Sequence, residues 1–405
     1  MSVVRTAKIW RALIIASTGL LLADFSVAEE QVAEEQNCPQ PGRWLVPATN
    51  ESLDFTQLMP RLKDKKVVLL GEVHDQPEHH IWQFQMVSAL SASNGDIAIA
   101  LEAFPRRVQP ILDRWVAGEL TRQQFLEQTD WFAVWGFAPE LYMPLFEFAR
   151  LNNVRMLAMN VDRSLVRKVG KSGWESVPIG ERENVSEPAA PSSAYVDYLW
   201  DIFRNHPAAD SDSNTTSDAL KREGPEFQSF VRSQTFWDRA MADAIANEVR
   251  EHPDRVVIAV LGSGHVQEGW GVAHQLSSQG ITDVGSLLPW AAGDECEEPS
   301  ATVADAVFGI KPNRDGDEQS RPRLGVRVSE NERGLVVSEV ETDSIASAAG
   351  IRAQDLLLEA AGIKLKTGQD LAAVVHRQPL GTWLPVLVER DGKELQFIAR
   401  FPPAS

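Results

Sequence analysis

The chain has 405 residues, 43% of them hydrophobic, and a formal net charge of −18. The length exceeds one ordinary core, so two domains are expected, and the apolar content excludes a disordered polypeptide. The acidic balance argues against nucleic acid or any other polyanion as a partner.

In chain order, Arg5, Lys8 and Arg11 precede the apolar run Ala12-Leu13-Ile14-Ile15 and Leu20-Leu21-Leu22, and Ser26-Val27-Ala28 supplies small residues for cleavage. This pattern reads as residues 1–28 forming a signal peptide cut after Ala28, with the remainder exported to a periplasm or envelope. No later stretch reaches the roughly 20 apolar residues a membrane span needs, so no transmembrane segment is expected. The two cysteines, Cys38 and Cys296, flank the first large domain. In an exported chain the favoured reading is a bridge, worth about 4–5 kcal/mol in chain-entropy terms; the alternative is two surface thiols.

Two apolar runs dominate the next region. Val67-Val68-Leu69-Leu70 ends in Gly71-Glu72-Val73-His74, and Val256–Leu261 ends in Gly262-Ser263-Gly264-His265. Runs of this kind fit strands of a parallel sheet covered on both faces, and such sheets bind ligands beyond the carboxyl ends of their strands. Ile97–Leu101 ending in Glu102 and Val154–Met159 ending in Asn160 add two more strands, with helix-like stretches between. The fold class is therefore α/β, a sheet with helices on both faces, followed by a small β-rich domain.

Residues 177–225 are rich in Glu, Pro, Ser and Asn and are read as a mobile insertion within a domain spanning 38–296. Residues 297–320 read as a linker, with Val303–Ile310 as a candidate last helix. Residues 321–403 carry Leu324-Gly325-Val326-Arg327-Val328, Gly334–Val340, Ala348-Ala349-Gly350-Ile351, Asp355–Leu358, Gly362 and Leu384–Arg390 before Asp391-Gly392. This ordered set resembles a bacterial PDZ domain of the kind attached to exported proteases. The resemblance implies a groove where an extended C-terminal peptide adds a strand, its carboxylate held around Leu324, Gly325 and Val326.

Glu72, His74, Asp75, His79 and His80 crowd into nine residues. At i and i+2 of an extended strand, Glu72 and His74 point the same way. With Glu102 and His265 from other strand ends they form a candidate set for metal ligation (His74, His265, Glu72) or acid–base work (Glu72, His74, Glu102, His265). A buried Glu102 requires a partner, for which Arg106 or Arg107 is expected. His79 and His80, on a first helical turn, are as readily capping residues as ligands, and most of the tryptophans are expected to fill core.

Residues 67–290 resemble the ChaN-type domain of the haem-binding uptake and Tiki superfamily. The features that carry this are Leu70–Asp75 with His79-His80, Ala100–Phe104, Trp135 with Tyr142–Leu145, Phe236-Trp237-Asp238, and Gly262–His265. The ChaN branch implies non-covalent haem or a related iron tetrapyrrole, with His79, His80 or Tyr142 as axial ligand, Arg106 near the propionates, and a homodimer left open. The Tiki branch implies a hydrolase using Mn, Co or Zn and two G-x-x-H motifs. A third reading is a non-catalytic envelope scaffold working through the PDZ groove.

Overall fold

The computed structural model describes residues 37–205, 221–292, 296–311, 323–331, 333–376, 378 and 381–402. The expected signal peptide and the Ala208–Ser217 part of the expected insertion lie outside these residues. The elements in chain order are β1 (Trp44–Val46), β2 (Glu51–Leu53), α1 (Phe55–Leu62), β3 (Val67–Glu72), α2 (Pro77–Asn94), β4 (Ile97–Pro105), α3 (Gln109–Val116), α4 (Arg122–Gln128), α5 (Trp131–Val134), α6 (Pro139–Leu151), β5 (Arg155–Asn160) and α7 (Arg163–Ser172). They continue with α8 (Ser193–Asn205), α9 (Pro225–Glu251), β6 (Val256–Gly262), α10 (Val272–Ser277), β7 (Val284–Ala291) and β8 (Ala306–Ile310).

These strands form one sheet in the order β2-β1-β8-β7-β3-β6-β4-β5. The six from β8 to β5 are parallel, while β1 runs antiparallel to both β2 and β8. The expected α/β sheet is present, with an antiparallel edge added by short strands. Alternation along β3 shows why its sequence is apolar throughout. Val68 and Leu70 pack with α1, α2, α3 and α6 residues in one cluster, whereas Val67 and Leu69 pack with Met241, Ala242 and Ile245 of α9 in the other.

Two expectations need correction. Val303–Ile310 contains strand β8, paired with β7 and β1, so the first sheet continues past residue 296 and the segment is neither linker nor helix. Its β-branched and aromatic residues suit the slot between two strands better than a solvated helix. The described part of the expected insertion is packed: Val177 and Val185 join a buried cluster with Phe236 and Ala240, and α8 docks Tyr195 and Leu199 beside Phe227 and Val231 of α9. Its apolar residues are few but well spaced, and composition alone hid them. Trp82 and Trp131 fill core, as expected of most of the tryptophans, Trp82 beside Trp44 and Phe308 and Trp131 beside Phe104, Phe125 and Phe146. Cys38 and Cys296 are joined by a disulfide.

The second sheet comprises β9 (Val326–Asn331), β10 (Gly334–Val340), β11 (Leu356–Ala360), β12 (Ile363–Lys364), β13 (Trp383–Arg390) and β14 (Lys393–Arg400), with helices α11 (Ile345–Ala349) and α12 (Gly368–His376). It is antiparallel in the order β14-β13-β11-β10-β9, with β12 beside β11, and has its own core around Leu335, Leu357, Val386 and Val388. No helix of the described residues is long and apolar enough to cross a membrane.

Candidate functional site at the strand tips

Parallel pairing of β3 with β6, and of β6 with β4, brings Glu72, Glu102 and Gly262 to one end of the sheet. Both first glycines of the G-x-x-H motifs are needed for close approach. A Cβ on Gly71 would stand 2.3 Å from Leu288 Cδ2, and one on Gly262 would stand 3.2 Å from His74 Cε1, 3.3 Å from His74 Nε2 and 3.6 Å from Glu102 Oε2. His74 and Glu102 therefore meet over the backbone of Gly262. Strand pairing of β4 with β5 is irregular between Leu101 and Pro105, so Glu102 lies at a break in the ladder. Bulges of this kind re-aim side chains beside functional sites. Glu102 Oε2 accepts a hydrogen bond of 2.7 Å from Gly262 N, and its Oε1 lies 3.6 Å from His265 Nε2.

Each imidazole is held from behind by a buried carboxylate. His74 Nδ1 meets Glu72 Oε1 at 2.7 Å, and His265 Nδ1 meets Asp238 Oδ1 at 2.6 Å. Tyr142 donates to Glu72 Oε1 at 2.6 Å, and Tyr195 donates to Asp238 Oδ2 at 2.8 Å. The His265 ring is nearly buried, whereas the His74 side chain keeps 27% of its surface and faces Trp135 and Phe137 at ring distances of 4.8 and 5.0 Å. Beside them a cleft of about 230 Å³ is lined by Trp135, Trp237, Asn160, Arg107 and Arg163 among others.

Electrostatics follow from this arrangement. Burial alone would lower the His265 pKa, but the charges of Asp238 and Glu102 reverse that and push it up to about 9. For His74 burial likewise opposes protonation, and the bond to Glu72 and the charge of Glu102 raise it overall. Glu72 is held ionised despite its burial by the His74 bond and the His80 charge.

The structure redistributes several expected roles. Strand β3 ends at Glu72 and the chain then turns, so His74 folds back onto Glu72 instead of projecting beside it. Glu72 thus supports His74, and the expected ligand set of His74, His265 and Glu72 is not assembled. Among the described residues, the set of three or more potential ligands with atoms within 4.8 Å of one another is Glu248, Glu251 and His252, away from the strand tips. His79 accepts from Val73 N at 2.9 Å, a local cap; burial and the charge of His80 lower its pKa to about 4.

His80 is buried with both ring nitrogens facing oxygens, the carbonyl of His74 at 3.0 Å and Glu72 Oε2 at 3.4 Å. Tyr142 is buried, committed to Glu72, and its pKa is driven upward by burial and that carboxylate. Arg106 turns inward to the carbonyls of Glu183 and Ala240, and Arg107 pairs with Asp162. Glu102 finds its cation in His265, because Arg106 is committed to two backbone carbonyls and Arg107 to Asp162 on the wall of the adjoining cleft.

Two supporting residues had no role assigned from the sequence, although Asp238 stands in the Phe236-Trp237-Asp238 motif. Asp238 had a readable signal, an acid on the helical face shared with Ala242 and Ile245. Tyr195 had none, lying in the segment read as an insertion.

Fold and site together define a doubly covered α/β domain that gathers carboxylate-backed imidazoles at its strand tips, followed by a separate antiparallel β domain. The family model described as haem-binding uptake, Tiki superfamily, ChaN matches residues 58–276, and the PDZ domain model matches residues 322–399. The chain belongs to this ChaN family and carries a PDZ domain after it.

Among curated proteins it is similar to a probable periplasmic serine endoprotease, DegP-like, of Rickettsia conorii, 31% identical over 110 residues, covering 24% of this chain and 21% of that protein. It is also similar to RETICULATA-RELATED 5, chloroplastic, of Arabidopsis thaliana, at 21% over 223 residues, covering 53% of this chain and 29% of that protein. The chain thus spans less than a third of the length of either. Among solved structures, cofacial haem binding to ChaN of Campylobacter jejuni matches with 19% identity, a TM-score of 0.49, and coverage of 65% of this chain and 95% of that one.

Proposed function

We propose that the α/β domain binds an exchangeable haem through His74, and that the PDZ domain recruits a polypeptide C-terminus, together serving haem or iron handling in a bacterial envelope. The observation that carries this reading is the His74 imidazole, partly open, with Nδ1 fixed by Glu72 and its Nε2 edge over Gly262 at the strand tips. A carboxylate behind the imidazole fixes the tautomer and raises its basicity as a ligand. The donor set would suit iron: the partly open His74 imidazole is backed by the buried Glu72, with the buried carboxylates of Glu102 and Asp238 close by. Trp135 and Phe137 supply flat apolar contact, and Arg107 and Arg163 line the adjoining cleft where propionates would sit. That cleft is smaller than the roughly 300–1,000 Å³ typical of enclosing ligand pockets, which favours an edge-bound group that exchanges. Bound there, haem would supply an iron centre with an open face.

Haemin titration of the purified protein tests this. A Soret shift is expected in the wild type, weakened at least about tenfold in His74→Ala and unchanged in His79→Ala, since losing an axial bond costs more than about 1.4 kcal/mol. Equal affinity in His74→Ala removes the reading.

A second reading rests on the pairing of the two dyads. His265, held protonated by Asp238, suits a general acid, and His74, backed by Glu72, suits a base, the arrangement hydrolysis uses with or without a divalent Mn, Co or Zn ion. Peptide cleavage by the haem-free protein, abolished in both His74→Ala and His265→Ala, would favour it over haem carriage.

A further inference from the structure

The groove of the PDZ domain lies between β9, at the edge of its sheet, and α12. Leu324, Leu371 and Val375 are buried at its base, with Val326 packed against them. A peptide strand paired antiparallel to β9, its carboxylate at Leu324-Gly325-Val326, places its third-last residue beside Val328 and its fifth-last beside Glu330, because paired strands advance residue for residue.

At that fifth-last level the two walls are tied together. Gly368 N, the first amide of α12, donates to Glu330 Oε1 at 2.8 Å. Two residues earlier on the same strand, Val328 Cγ2 comes within 3.7 Å of where a Cβ on Gly368 would stand, so the walls are close here. The neighbouring carboxylate is not free to exchange with Glu330: Asp370 Oδ2 already accepts from Lys366 N and Thr367 N. Arg327 and Arg333 pair with Glu339 and Glu389, and among the described residues no cation pairs with Glu330. Glu330 is exposed, and among the described residues its carboxylate holds the bond to Gly368 N across the mouth of the groove.

We propose that Glu330 is a latch and the specificity residue of this groove, selecting C-terminal peptides with an apolar last residue and a lysine or arginine as fifth-last. The proposal rests on the PDZ domain taking peptide C-termini. A ligand longer than about four residues displaces the Glu330 carboxylate from Gly368 N, which water then satisfies. The freed carboxylate faces the fifth-last side chain, so a cation there recovers the cost and an acid adds repulsion.

Fluorescence anisotropy with the full chain decides this. The probes are N-terminally labelled alanine hexapeptides ending in valine, leucine or phenylalanine, with lysine, alanine or glutamate as fifth-last residue. The wild type is expected to bind the lysine peptide about fivefold more tightly than the glutamate peptide, the size of one exposed ion pair gained and one repulsion avoided. Glu330→Gln removes that preference while still binding the alanine peptide, and Glu330→Lys inverts it. Binding without discrimination, or a preference that survives Glu330→Gln, overturns the latch but leaves the groove. Failure of every peptide to bind the folded wild type overturns the groove reading and the latch with it.

Discussion

Replacing Asp238 with alanine is expected to lower the unfolding free energy by about 3–5 kcal/mol, the usual cost of breaking a buried charge pair by removing one partner. Asp238 is fully buried and receives both the His265 ring and the Tyr195 hydroxyl, so its loss orphans two buried donors. The same pair gives stability a characteristic pH dependence. His265 rises from 6.5 to about 9 on folding, so its contribution is complete below pH 6.5 and is lost as pH rises through 9. Wild-type stability should therefore fall by up to about 3 kcal/mol between pH 6.5 and 9.5, a tenfold change in proton affinity being worth about 1.4 kcal/mol. Asp238→Asn, which keeps the shape and drops the charge, should flatten that slope. Urea unfolding across this range measures both, and a flat wild-type profile would refute the assignment of His265 as an imidazolium.

Removing the disulfide by the paired substitution Cys38→Ser and Cys296→Ser should cost about 2–5 kcal/mol, again read from urea midpoints. The bridge closes a loop with a sequence separation of 258 residues and pins the segment before β1 to the segment between β7 and β8. Strand β1 is three residues long and is held by β2 and β8 alone in the sheet. Hydrogen exchange should show β1, β2 and β8 losing protection first in the variant, with β3 and β6 retaining theirs. Uniform loss across the sheet would mean that the bridge acts on the unfolded chain alone.

The parts of this molecule that could be read in the sequence are those written in continuous local patterns. Val67–Leu70, Ile97–Leu101 and Val256–Leu261 are apolar on every residue because both faces of their strands are covered, and few other environments select so short and unbroken an apolar run. The convergence of His74, Glu102 and His265 followed from the rule that parallel strands share a carboxyl end. What the sequence could not convey was the direction of each side chain once regular structure stops. Glu72 and His74 are neighbours in either geometry, yet a strand end at Glu72 turns one into the support of the other.

His79 turning back to Val73 N, and Arg106 turning toward Ala240, are likewise decided by loops whose conformation no periodicity encodes. Short strands such as β1, β2 and β8 carry too few residues for alternation to register. Tyr195 was hidden because a polar, proline-bearing segment can still dock one aromatic ring into a core.

We propose that the His74 imidazole, oriented by Glu72, is the group presented to an iron centre at the strand tips. Resonance Raman spectroscopy of the reduced haem complex tests it most directly. An iron–histidine stretch should be present in the wild type, absent in His74→Gly, and restored in that variant by free imidazole entering the vacated space. An iron–histidine stretch that persists unchanged in His74→Gly without added imidazole would contradict the account.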